Sequence, residues 1–277
     1  MRRICKVIGV TAQGYYAWLK RGESVRDARN RELETEIEEI HRESKCTYGS
    51  PRIYKALKEK QIRCSMNRVA LLMQKSGIRA KAGRKFKVTT DSSRSNFKAP
   101  DLLERDFSVD APNRKWVSDI TYLWTAEGWL YLAVVIDLFS RKVVGWATSK
   151  RIRSSLVILA FERAVARRKP EPGLIMHSDQ GSQYASKEYR RVLRDAQVLQ
   201  SMGTRGDCFD NAVAESFFHS FKIEAIYGAD IQTYREMEHV LFDYIERFYN
   251  KNRMHSYIEY LAPEKYEEVF FNNKKRA

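Results

Sequence analysis

Three carboxylates in this sequence, Asp119, Asp179 and Glu215, each occupy a stretch that would hold a side chain rigidly, and 35 residues separate the last two. Acidic side chains converging from separate elements make an oxygen cage for hard divalent cations, which polarise phosphoryl oxygens and activate water. In a chain of formal net charge +15, that chemistry points to a phosphate backbone as substrate. Asp119 lies in KWVSDITYL, an alternating strand pattern in which an acid among apolar neighbours needs a partner. Asp179 follows the apolar run LIMH in HSDQGSQY, at the carboxyl end of a strand, where open α/β sheets place ligands. Glu215 falls in a helical pattern with Asn211 one turn before it and Lys222 two turns after it, on one face. That face presents, in order, an amide, a metal ligand and a phosphate-binding cation.

Positioning such a trio takes a sheet with helices over it. Strand patterns rich in Val, Ile, Tyr and Trp cover residues 115–123, 129–137 and 142–148, separated by turns short enough for hairpins, so an antiparallel meander is expected. A helical pattern over 154–168, a short strand at 174–177, a helix over 186–196 and a strand at 198–200 follow. Helices over 210–225 and 233–251 complete a mixed α/β sheet with helices on its faces.

The front of the chain reads differently. Residues 1–110 hold 25 Lys/Arg against 14 Asp/Glu, whereas residues 111–277 hold 25 against 21, so the basic excess favours a nucleic-acid-binding module at the front. Leu33, Ile37 and Ile40 define one amphipathic helix; a second is expected to be capped by Ser50 with Pro51 at its first position; a third is capped by Ser65 and stops at Gly77. Three short helices with tight turns suggest a helix-turn-helix, with Met66, Asn67 and Arg68 facing DNA from the first turn of the third. The expected organisation is an N-terminal helical segment (1–25, with a helix near 12–20), a helix-turn-helix-like module (26–80), a basic linker (81–112), a catalytic core (113–228) and a C-terminal helical extension (229–277).

Composition narrows the class. The apolar run 129–139 is short and contains Asp137, so no transmembrane helix is expected, and the N-terminus lacks a secretion signal; a cytoplasmic protein follows. Cys5, Cys46, Cys64 and Cys208 are scattered without Cys-x-x-Cys pairing, which disfavours structural zinc and disulfides.

Taken together, WVSDITY, HSDQGSQY and DNAVAESFFHSFK resemble the Asp-Asp-Glu core of retroviral-integrase-type transposases. With YGSPRIYKALK and FYNKNRMHS they resemble, more narrowly, the second-frame product of bacterial insertion sequences whose transposase is made from two overlapping frames. One departure is Glu259 in HSYIEYLAP, where the family pattern has Gly. The resemblance implies a ribonuclease-H-like mixed-sheet core preceded by the small all-α helix-turn-helix module. It also implies DNA strand cleavage and strand transfer at transposon ends by Asp119, Asp179 and Glu215, which hold two Mg²⁺ ions replaceable by Mn²⁺. Double-stranded DNA, a homo-oligomer on DNA, and a first-frame protein with its own helix-turn-helix and leucine zipper are the implied partners, at the nucleoid. Gln183, Tyr184 and Asn211 match the family motif as pocket or DNA-contact residues, and Lys222 as a DNA contact. Arg253 and His255 either contact DNA or tie the last helices to the core, and His177 orients the attacking group or is structural. A phage-like integrase is disfavoured because no N-terminal His-His-Cys-Cys signature is present. A non-catalytic DNA-binding regulator using only the helical module is the reading from another class.

Overall fold

The structure, a computed structural model, describes residues 1–81, 97–104, 106–203 and 211–276. Residues 82–96 of the expected linker, Cys208 and the first residue of the helix expected from Asp210 lie outside the described residues. The chain divides into two compact units, Met1–Lys81 and Ala82–Ala277.

The first unit is all α: α1 (Arg2–Val7), α2 (Ala12–Lys20), α3 (Val25–Glu43), α4 (Ser50–Glu59) and α5 (Met66–Lys75). Apolar residues at helical spacing build its core, with Leu33, Ile37 and Ile40 of α3, Ile53 and Leu57 of α4, and Val69, Leu72 and Met73 of α5 all buried. Each such side chain contributes about 1.5–3 kcal/mol when fully buried. Thr11, Ser24 and Ser65 cap their helices through side-chain oxygens. The second cap differs from expectation: Gly49 is the N-cap of α4 and Ser50 is already helical, with Pro51 inside the first turn, where its missing N–H costs nothing.

The second unit is built on a five-stranded sheet of β1 (Lys115–Thr125), β2 (Gly128–Asp137), β3 (Val143–Ser149), β4 (Ile175–Ser178) and β5 (Leu199–Met202), in spatial order β3-β2-β1-β4-β5. β1, β2 and β3 are antiparallel, while β4 and β5 run parallel to β1. This is the ribonuclease-H-like arrangement. Alternation puts Trp116 of β1 with Ala133 and Val135 of β2 on one face, where they pack with α6 (Ser154–Arg168) and α7 (Lys187–Asp195) in one buried cluster. Gly145 lets β3 approach α6, since a Cβ there would lie 2.3 Å from the Ala160 carbonyl oxygen.

The opposite face carries Val117, Leu123, Leu132 and Val134, all buried. α8 (Ala212–Phe221) packs on β1 on the side of its buried phenylalanines, with Phe217 and Phe221 against Tyr244 and Tyr249 of the following helices. The two last helices expected from sequence are each broken in register. α8 widens into a π-type turn over Lys222–Ile226, and α9 (Tyr234–Phe242) into another over Asp243–Tyr249. Thr233 and Glu236 form a reciprocal capping box at the start of α9. Asn250 at the end of the second π-turn bonds both the N–H and the C=O of Val143, closing part of the edge strand β3. A further helix, α10 (Pro263–Arg276), lies within the stretch expected to be a C-terminal helical extension; its Glu267 joins Arg168 and Ser140 near the end of β2. No helix among the described residues is long and apolar enough to cross a membrane. Cys5, Cys46 and Cys64 are free thiols.

Candidate active site

Register determines where the two aspartates meet. β1 and β4 pair in parallel with Lys115 opposite Ile175 and Val117 opposite His177, a constant offset of 60. Asp119 and Asp179 each lie two residues beyond the last pair of that ladder, Asp119 still within β1 and Asp179 just past the end of β4, and their charges are coupled. The ladder ends at Val117, so Asp119 is next to a backbone edge that β4 no longer covers, and its carboxylate accepts the N–H of Ile120 at 2.7 Å.

The surroundings hold this edge still. The Ser118 hydroxyl lies 2.9 Å from the buried Tyr184 hydroxyl, and Tyr184 is anchored in turn by Gln200 Nε2 donating to its carbonyl. Asp179 Oδ1 accepts the Gly181 N–H at 3.0 Å, and a Cβ on Gly181 would sit 2.9 Å from that same oxygen. Gln180 Nε2 donates to the Gly203 carbonyl, tying the turn after Asp179 to the end of β5.

Glu215 arrives differently. It is exposed on the first turn of α8, and its backbone N–H bonds the Asn211 carbonyl. Asn211 is 7% exposed, and its Nδ2 donates to the Ser118 carbonyl at 3.2 Å, fastening the start of α8 to the peptide that precedes Asp119.

Electrostatics joins the groups. Burial, then the Asp179 carboxylate, hold the Asp119 carboxyl well above its ordinary range; Glu215 adds to the rise, while the Ile120 N–H and Lys222 oppose it. Burial raises Asp179 against the Gly181 N–H, and partial burial raises Glu215. Burial lowers the half-buried Lys222, and Asp119 pulls it back up. Among the described residues no group of three His, Cys, Asp or Glu side chains is drawn close enough to hold a metal ion, so the trio is gathered but not closed.

The structure thus brings Asp119, Asp179, Glu215 and Lys222 into one electrostatic neighbourhood, with Gln183 half-buried on the turn beyond Asp179. Other expected contacts lie elsewhere. Asn211 does not share an outward face with Glu215 and Lys222; as the cap residue it turns inward to β1, which corrects its assignment as a DNA contact. Arg253 is 5% exposed and pairs with Glu224 at 2.7 Å and with Ser220, so it ties the last helices to the core and does not reach a DNA surface. His255 packs edge-on against Tyr249, close to Arg253. His177 is buried with Nδ1 2.8 Å from Ser201 Oγ, a link between β4 and β5. In the first unit Arg68 turns back to Asn30 of α3, at 2.6 and 2.9 Å, whereas Met66 and Asn67 are exposed. Sequence reading missed Ser118, whose signal is a small polar residue on the core face of a strand beside an acid. Glu259, which replaces the family glycine, adopts φ +58° and Tyr260 φ +65°, a left-handed turn of the kind glycine makes without strain.

The chain matches the family models "Integrase core domain" over residues 109–208, "HTH-like domain" over 27–86, and a second "Integrase core domain" over 215–271. It is 39% identical over 269 residues to "Transposase InsF for insertion sequence IS3A" of Escherichia coli K12, covering 96% of this chain and 93% of that one. It is 37% identical over 267 residues to "Insertion element IS600 uncharacterized 31 kDa protein" of Shigella sonnei, covering 96% and 98%. Among solved structures it is similar to the catalytic core domain of BIV integrase, with 18% identity, a TM-score of 0.44, and coverage of 59% of this chain and 99% of that one.

Proposed function

The chain belongs to the insertion-sequence transposases of the IS3 InsF type, and from that premise we propose that Asp119, Asp179 and Glu215 form the phosphoryl-transfer centre that cleaves and joins DNA strands at the element's ends. The observation that supports this reading is that Asp119 and Asp179 each follow the β1–β4 ladder by two residues and that the Asp119 charge is coupled to both Asp179 and Glu215. The two integrase-core matches span all three carboxylates, which sets aside a regulator acting through the helical unit alone.

The donor set fits hard divalent cations: three carboxylates supply only oxygen, and their mutual repulsion at Asp119 is the charge that a cation neutralises. Asp119, Asp179 and Glu215 would hold two Mg²⁺ ions, replaceable by Mn²⁺, which when bound polarise the scissile phosphate and stabilise charge on its attacking and leaving oxygens. The protein's own part is positioning. Tyr184 and Asn211 fix the Ser118 peptide and so the direction of Asp119, Gly181 fixes Asp179, and Lys222 meets a phosphate oxygen. In cleavage a water oxygen bonds phosphorus as the P–O3′ bond breaks, which frees a 3′-hydroxyl. In transfer that hydroxyl attacks a target phosphorus and a second 3′ oxygen leaves. Neither step forms a bond to the protein.

Double-stranded DNA at the element's ends and at the target is the substrate of this reading. The exposed Asn67 and Met66 of α5 face DNA from the helix-turn-helix-like unit. A homo-oligomer on DNA, association with a first-frame protein carrying a zipper, and a place at the cytoplasmic nucleoid complete it. The test is Asp119→Asn on labelled end DNA with Mg²⁺. Nicking falls by at least about a thousandfold while duplex binding stays within about twofold, because only transition-state stabilisation is lost. Nicking at the wild-type rate removes Asp119 from the centre.

A further inference from the structure

Beyond the cover of α6, the core face of the sheet continues as bare aromatic surface. Tyr122 and Trp124 of β1 lie opposite Tyr131 and Trp129 of β2, on the same face as Trp116 and Ala133. Tyr122, Trp124 and Trp129 are 43%, 60% and 46% exposed, a large apolar area to leave facing water. Their rings meet edge to face, Tyr122 with Trp129 at 5.2 Å and Trp124 with Trp129 at 4.8 Å. Edge-to-face contact fixes the three rings against one another, and Trp124 and Trp129 keep about half of their surface in solvent.

Two features select the partner. The patch adjoins the catalytic edge: Asp119 is on the same strand with its side chain on the opposite face, and Tyr122 and Trp124 are roughly 10 and 17 Å along it, about three to five base steps of DNA. The two faces meet around the edge of β1 that β4 leaves uncovered. Lys222 links the two regions, its Nζ 5.2 Å from the Tyr122 ring centroid and its charge coupled to Asp119. The rim is also basic. Ser149 pairs with Tyr131, and the exposed Lys150, Arg151 and Arg153 follow it directly. The one acid at the hairpin tip, Glu127, is held by Tyr234 through its N–H and hydroxyl, which also braces the hairpin. Aromatic rings rimmed by cations suit nucleic acid, and a ring face can receive a base only where that base has left the duplex stack.

We propose that Tyr122, Trp124 and Trp129 form a stacking platform for an unpaired base of the DNA strand flanking the scissile phosphate, with Lys222, Lys150 and Arg151 holding its phosphates. The platform keeps the strand apart near the carboxylates. It rests on the assignment of the carboxylate centre above, but its test does not use catalysis.

The full chain is titrated in EDTA with a single-stranded oligonucleotide carrying 2-aminopurine and, separately, with duplex of the same sequence. Trp124→Ala and Trp129→Ala each weaken single-strand binding by about tenfold and abolish the fluorescence change on binding, while duplex affinity stays within about twofold. Trp124→Phe, which keeps a ring, retains single-strand affinity within about threefold of wild type. No metal is present and no nicking is read here, so a failure of the carboxylate assignment in the nicking assay is read separately. Wild-type single-strand binding in both alanine variants overturns the platform, as does a parallel loss of duplex affinity. So does a wild-type self-association, seen by sedimentation, that the alanine variants abolish; the patch is then a contact between copies.

Discussion

The two aspartates and the glutamate of the candidate centre are held in opposite ways. Asp119 is in β1 and Asp179 directly follows the neighbouring β4, both half-buried, each with its carboxylate fixed by a neighbouring backbone N–H. Glu215 is exposed on the first turn of a helix whose start is fastened to the sheet by the Asn211–Ser118 bond. Backbone ladders leave a strand little freedom, whereas a helix end can shift as a body. The centre therefore has a rigid wall and an adjustable one, and closing the trio falls to the adjustable side.

Conservative swaps break this comparison most strongly. Asp119→Glu, adding a methylene where the strand cannot yield, lowers nicking by at least about a thousandfold, whereas Glu215→Asp retains at least tenfold more activity because α8 can approach. Equal losses in a single-turnover assay would mean that both walls are rigid.

Next come the residues that hold each wall. In Gly181→Ala the new Cβ meets Asp179 Oδ1, and in Asn211→Ala the tie from α8 to β1 is lost. Each lowers the single-turnover rate by about a hundredfold, the scale of a 1 Å misplacement, with DNA binding unchanged. For Asn211→Ala part of the loss is recovered at high Mn²⁺ concentration, because the ion itself draws Glu215 in; for Gly181→Ala none is recovered.

The smallest effect is on stability. Burial and the neighbouring carboxylates raise the Asp119 pKa, so the folded chain holds that proton more tightly than the unfolded chain. Without metal, stability therefore falls as pH rises from the ordinary carboxylate range to the raised folded value, and the loss persists above it. Asp119→Asn removes this cost and melts higher than wild type in EDTA at neutral pH, by about 2–4 °C for each kcal/mol. Mg²⁺ or Mn²⁺ raises the wild-type melting temperature and leaves that of Asp119→Asn nearly unchanged. A lower melting temperature for Asp119→Asn in EDTA contradicts the crowding of charge at the rigid wall.

Much of this was legible in sequence where the signal is local. The alternation around Asp119, the strand before Asp179 and the cap at Ser65 depend on residues a few positions apart, and the structure has each of them. Less was legible where a partner comes from far along the chain. Asn211 reads as an outward helix residue until Ser118 is found 93 positions away, and Arg253 reads equally as a DNA contact or a tie to the core until Glu224 is found beside it. Arg68 likewise faces Asn30 across the first unit. The π-turns after Phe221 and Phe242 escape a 3.6-residue pattern because they add a residue to one turn.

Sequence alone settles which residue types can do the chemistry and which local element carries each, since propensity, alternation and capping act over a few residues. Tertiary packing decides that Asp119 and Asp179 come into one charged neighbourhood, that Glu215 hangs from Asn211, and which basic residues are tied to acids within the fold. The reason is that burial and charge pairing are properties of space, and a cation at position 253 has no partner until the chain has folded Glu224 against it.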